Sequence, residues 1–149
     1  MGSYIFSCQF QNNPVDDENA DFKKVWFKNY QEAELGRRMV NTFITIDPAV
    51  STKEEADFTG IVVCSIDREN NWYFRKVMKL KIKPPELMEK IFELNRVWRP
   101  IKIGMEKEKY TQVFKHFLDE QMKQRNEFPP VEEITLKITN KEMRIRGLS

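Results

Sequence analysis

Apolar residues recur with two different periods along this chain, and the change falls near Pro84. Residues 39–47 (MVNTFITID) are β-branched and apolar on both faces, the pattern of a central strand. Residues 58–66 (FTGIVVCSI) repeat that pattern, and DRENN at 67–71 reads as a turn. In 72–82 (WYFRKVMKLKI), Trp72, Phe74, Met78, Leu80 and Ile82 share one side, interrupted by Lys76, which predicts a third strand with a wetter face. Short connections make these three strands an antiparallel meander. From 84–98 (PPELMEKIFELNRVW) the spacing becomes helical. Prolines start the segment, Leu87, Ile91, Leu94 and Trp98 form one stripe, and Pro100 ends it.

A short strand is expected at 101–106 (IKIGME) and an amphipathic helix at 107–126, with Tyr110, Val113, Phe114, Phe117 and Leu118 as its buried face. A fifth strand is expected within 129–139, and a helix start at 140–149 with Asn140 as its cap. Residues 1–20 are polar and turn-rich, and 21–35 mix aromatics and charges without a clean period, as a short helix or a strand and turn. The expected organisation is an arm over 1–35 and one domain over 36–149. A strand, a crossover helix and a strand require a parallel pair. The order β-β-β-α-β-α-β then closes most simply as a mixed five-stranded α/β sheet in the order 3-2-1-4-5, with helices on its faces.

That sheet puts two acids side by side. Asp47 ends the first strand and Glu106 ends the fourth, so both belong at the carboxyl edge, where open α/β sheets place ligands. Two carboxylates this close repel unless a cation lies between them. Hard oxygen donors suit Mg²⁺ or Mn²⁺. A pair of such ions clamps the attacking and leaving oxygens of a phosphodiester. The plain alternatives are a turn-forming aspartate before Pro48 and a glutamate favouring a helix dipole. Lys107 and Lys109, just beyond Glu106, are placed to hold a phosphate, and solvent exposure explains them as simply.

Composition narrows the class. The chain has 149 residues, 40% hydrophobic and 32% charged, with a formal net charge of +2, so it is a globular sequence whose overall charge does not argue for nucleic acid. No apolar run is long enough to span a membrane, and the start lacks a signal-peptide pattern. Cys8 and Cys64 form no disulfide framework or zinc pattern, which suits a reducing, cytosolic compartment, with Cys64 expected in the core. His116, the single histidine, falls opposite the apolar face of its helix and is expected in solvent. Met78, Met88, Met105 and Met122 read as gap fillers, and Trp26, Phe27 and Tyr30 as packing residues or former partner contacts.

In order and spacing, ITIDPA, DFTGIVV, IGMEK and KEMRIRGL resemble the C-terminal nuclease domain of the large terminase subunit of tailed bacteriophages. QFQNNPVDDENADF (9–22) is similar to the segment preceding that domain, so the resemblance runs from Tyr4 to Leu148. It implies an RNase H-like fold and a metal-dependent endonuclease that cuts concatemeric double-stranded DNA. Asp47 matches the first catalytic aspartate, a ligand to both metal ions, and Glu106 the second acidic position. Asp57 matches an accessory acid and is equally readable as a capped loop residue. Lys141, Arg144 and Arg146 match a basic segment facing DNA, or form an exposed helix face. A third acid, on a helix, is expected beyond Ser149. No GxxxxGK[ST] stretch is present, so ATP hydrolysis belongs to another part of such a motor. Implied partners are the terminase ATPase domain, the small terminase subunit and the portal protein, in the cytoplasm of a bacterial host. The rival expectations are a non-catalytic DNA- or portal-binding module of this fold and another RNase H-like nuclease such as a resolvase.

Overall fold

A computed structural model of the protein describes residues 24–36, 38–49, 58–106 and 112–135. The chain divides into two compact units, Leu35–Leu136 and, separately, Met1–Glu34 with Lys137–Ser149. In the second of these, the described residues form a 3₁₀ turn at Lys24–Trp26 and most of a short helix, α1 (Glu32–Leu35). Trp26 and Phe27 are exposed there, which speaks against the packing alternative and leaves the partner-contact one untested.

The Leu35–Leu136 unit holds a five-stranded sheet built from β1 (Val40–Asp47), β2 (Thr59–Asp67), β3 (Trp72–Leu80), β4 (Lys102–Glu106) and β5 (Val131–Ile134). Its order is β3-β2-β1-β4-β5. β1 pairs antiparallel with β2, and β2 with β3, while β4 runs parallel to both β1 and β5. Helix α2 (Pro84–Trp98) links β3 to β4, and α3 (Gln112–Arg125) links β4 to β5.

One face of the sheet makes the core. Ile44 and Ile46 of β1, Ile61 and Val63 of β2, and Ile103 and Met105 of β4 are buried against Leu87, Ile91, Phe92 and Leu94 of α2 and Leu118 of α3. Each such side chain, fully buried, is worth about 1.5–3 kcal/mol. Thr42 and Ser65 are buried on the same face, and their hydroxyls hydrogen-bond to each other at 2.9 Å, so the core carries this polar pair without loss. Both long helices lie on this face, since the sheet residues they cover are in register with one another.

Helix α2 starts as expected. Pro84 and Pro85 occupy its first positions, and the Lys83 amide donates to the Glu86 carboxylate at 2.7 Å. Arg99 closes it in the left-handed conformation (φ 44°), with its amide donating to the Asn95 carbonyl at 3.0 Å.

Three expectations need correction. In β3, Val63 pairs with Lys76 but Cys64 pairs with Phe74, which leaves Arg75 as an extra residue. This bulge flips the phase of the strand. Met78 and Leu80 pack on the core, whereas Trp72 and Phe74 emerge on the opposite face at 56% and 57% exposure. Arg75 lies against the core side, its guanidinium 4.6 Å from the Trp98 ring centroid.

In α3 the buried stripe is Phe114, Leu118 and Met122, spaced four apart; Val113 and Phe117 are 66% and 50% exposed. The helix touches the sheet along a narrow line rather than a broad face. Cys64 is half-buried and points away from the core, because its strand neighbours Val63 and Ser65 take the inner positions. Partial burial pushes its thiol pKa up. His116 is exposed, as expected, and lies 3.6 Å from Glu120. The element expected over 140–149 and Tyr110 lie outside the described residues.

Candidate metal centre and the open face of the sheet

Asp47 is the last residue of β1 and Glu106 the last of β4. The parallel ladder pairs Ile44 with Ile103, Thr45 with Gly104 and Ile46 with Met105. One step further along both strands sets Asp47 beside Glu106, about one strand spacing of 4.8 Å apart. Ile46 and Met105 are turned into the core, so the two acids, one residue on, share the opposite face. Asp47 is exposed and Glu106 half-buried.

The chain leaving Asp47 is fixed. Pro48 is buried, and the Ala49 amide donates to the Thr59 hydroxyl at 3.2 Å. Thr59 is itself buried at the start of β2. This clamp holds the exit of β1 to its neighbour just past the acid.

The rest of this face can be written as cross-strand rows. The rim row is Lys79 on β3, Gly60 on β2, Asp47 on β1, then Glu106 on β4 and Ile134 on β5. The next row inward is Val77, Val62, Thr45, Gly104 and Glu132. Glu132 is a further acid near the rim, but Lys102 holds its carboxylate at 2.8 Å. Both partners are about half exposed, so the pair adds little stability. Among the described residues no three His, Cys, Asp or Glu side chains are grouped to hold an ion. Asp57, Lys107, Lys109, Lys141, Arg144 and Arg146 lie outside the described residues.

A second aspartate at a strand end shows what a purely structural acid looks like. Asp67 closes β2, and its side chain is 5% exposed. It accepts from the backbone amides of Glu69 (2.9 Å) and Asn71 (3.0 Å), the Asn71 side-chain amide (3.0 Å), the Tyr73 hydroxyl (2.8 Å) and Arg38 (3.2 Å). These donors, the Asn71 amide foremost, hold its pKa well below the usual carboxylate range. Tyr73, donating to that carboxylate, has its own pKa raised. Asp67 therefore pins the 67–71 turn, where Asn70 adopts φ 62°. Beyond Asp47 the chain is tied to β2 through the Thr59 hydroxyl.

The sheet order and strand directions are those of the mixed five-stranded α/β sheet expected from the sequence. No protein-family model and no curated protein matches the sequence. A solved structure that resembles the chain is T. thermophilus RuvC in complex with Holliday junction substrate, at 11% sequence identity and a TM-score of 0.44. The match covers 64% of this chain and 66% of that one, just short of two thirds of its length, and says nothing of what this chain does. No helix among the described residues is long and apolar enough to cross a membrane.

Sequence reasoning missed two residues of the rim row, Lys79 and Gly60. The signal for them was the register itself: once Asp47 is aligned with Gly60, Lys79 follows on the next strand.

Proposed function

We propose that this chain is the nuclease part of a phage DNA-packaging terminase large subunit, a metal-dependent endonuclease domain that cuts concatemeric double-stranded DNA. What supports the reading is that Asp47 and Glu106 end adjacent parallel strands, one step beyond the paired residues Ile46 and Met105. Their carboxylates are hard oxygen donors and fit Mg²⁺ or Mn²⁺. Such ions, when bound, activate water and stabilise charge on the cleaved phosphodiester. The protein's share is to hold two anions side by side on a rigid sheet, with the Thr59–Ala49 clamp fixing the exit of β1. Asp57 joins the ligand set in this reading. Lys107, Lys109, Lys141, Arg144 and Arg146 supply phosphate contacts. The ATPase domain, small terminase subunit and portal are the partners that go with it.

A second reading is a DNA- or portal-binding module of this fold without cleavage. Calorimetric Mn²⁺ titration of wild type, Asp47→Ala and Glu106→Gln tests the metal site. Wild type is expected to give a binding heat that both variants lose; equal heats from all three remove the site. A plasmid-nicking assay with Mn²⁺ then separates the readings, since a binding module retards DNA without nicking it.

A further inference from the structure

Two glycines interrupt the open face, and they are there for different reasons. Gly104 on β4 is required by packing. A Cβ built on it lies 2.8 Å from Ile134 Cγ1, and nearer still to the end of that side chain. Gly60 on β2 has no such neighbour. A Cβ there meets only the Cβ of Asp47 among the described residues, at 3.9 Å, an ordinary contact. Its backbone is ordinary too, since no described glycine has positive φ. A glycine inside a strand costs roughly 0.5–1 kcal/mol against alanine. Among the described residues neither φ nor packing demands it, and a close approach by a ligand is one physical reason for a glycine inside a strand.

The gap over Gly60 has a definite chemistry on each side. Asp47 and Glu106 stand on one flank and Lys79 on the other, all in the rim row. Lys79 is exposed, yet its ammonium is held 4.2 Å from the centroid of the Phe58 ring. Phe58 is also exposed, so this pair places a cation at the surface beside Gly60. A bare strand floor, a surface cation and an adjoining carboxylate pair suited to a divalent ion together match a nucleic-acid backbone laid across the strands.

We propose that the gap over Gly60 is a backbone-phosphate subsite for duplex DNA. One phosphate rests against the Gly60 backbone with Lys79 as its counter-charge, and a nearby phosphate of the same strand lies over Asp47 and Glu106. This subsite rests on the reading of that rim as the DNA-facing metal centre. Lysines also guard sheet edges against pairing, and β3 is an edge strand. A guard makes no phosphate contact, and salt dependence distinguishes the two.

The test is fluorescence anisotropy of a short labelled duplex with the full chain in Ca²⁺, repeated over a salt series. Lys79→Gln is expected to weaken binding several-fold and to flatten the slope of log K against log salt by about 0.9, the value for one lost phosphate contact. Lys79→Arg restores the slope. Gly60→Val is expected to weaken binding while its melting temperature holds or rises, because a β-branched residue suits a strand. An unchanged slope for Lys79→Gln, or wild-type binding by Gly60→Val, overturns the subsite and leaves the Asp47–Glu106 reading intact. If wild type gives no anisotropy change at any salt, the DNA-facing reading of the rim falls and the subsite falls with it.

Discussion

Replacing Gly104 with alanine probes the packing of the face that carries Glu106, and the sign of the effect depends on one neighbour. Gly104 has no positive φ, so alanine fits its backbone, and the smaller entropy of the unfolded chain alone would stabilise the variant by about 0.4–1 kcal/mol. Ile134 opposes this. The added methyl lies 2.8 Å from Ile134 Cγ1, an atom that moves only if the whole side chain turns about χ1. Overpacking of this kind costs about 1–3 kcal/mol. Gly104→Ala is therefore expected to destabilise wild type by up to about 2.6 kcal/mol, the difference of those two effects. Ile134→Ala alone costs about 1 kcal/mol, because the side chain is 37% exposed and surrenders only part of its burial. In the Ile134→Ala background the clash is gone, and Gly104→Ala becomes neutral or stabilising. Urea denaturation of the four proteins gives the coupling energy, expected at about 1–3 kcal/mol. Additivity within the error of the cycle would refute the claim that Ile134 is what keeps this position glycine.

Two further predictions test the turn acid and the phase of α3. The pKa of Asp67 lies below the usual 3.8 in the fold, so as pH falls the unfolded chain takes up that proton first, and the stability Asp67 contributes is present above about 3.8 and lost below it. Asp67→Asn is accordingly less stable than wild type at pH 7, and the gap narrows as urea midpoints are followed below pH 4. For α3, Leu118→Ala is expected to cost about 2–5 kcal/mol and Phe117→Ser no more than about 0.5 kcal/mol, read by the same denaturation; comparable losses would restore the broad face that the sequence suggests.

The sheet order was legible because it follows from few choices. β1 and β2 are apolar enough to be central, β3 follows by a short turn, and each helix between strands forces a parallel step. The positions of Asp47 and Glu106 came with that order, since each ends a strand that the pattern bounds well. The phase of β3 was not legible. WYFRKVMKLKI looks like simple alternation with a lysine out of place, and a bulge at Arg75 reads the same in sequence as a polar interruption. Only the partner strand shows that Cys64 faces Phe74 while Val63 faces Lys76. The inner stripe of α3 was obscured for a related reason. Val113, Phe114, Phe117 and Leu118 are all apolar, so the pattern cannot say which half meets the sheet; packing on the core cluster selects Phe114, Leu118 and Met122.

These misreadings share a consequence for function. With the bulge, Trp72 and Phe74 join Val77, Val62 and Phe43 on the face opposite the helices, and that face is also the one bearing Lys79, Gly60, Asp47 and Glu106. The sheet thus separates its tasks by side chain parity. Alternate residues facing the helices supply the burial that holds the strands in place, and the residues between them are released from packing. A one-residue slip of β1 would exchange the two sets, burying Asp47 and exposing Ile46. Because that slip would bury a carboxylate on the apolar side, the same hydrophobic pattern that stabilises the fold fixes which way the acids point. Geometry at the rim is therefore set by the core, and substitutions in Ile44, Ile46 or Ile103 should disturb it before any residue of the rim itself is changed.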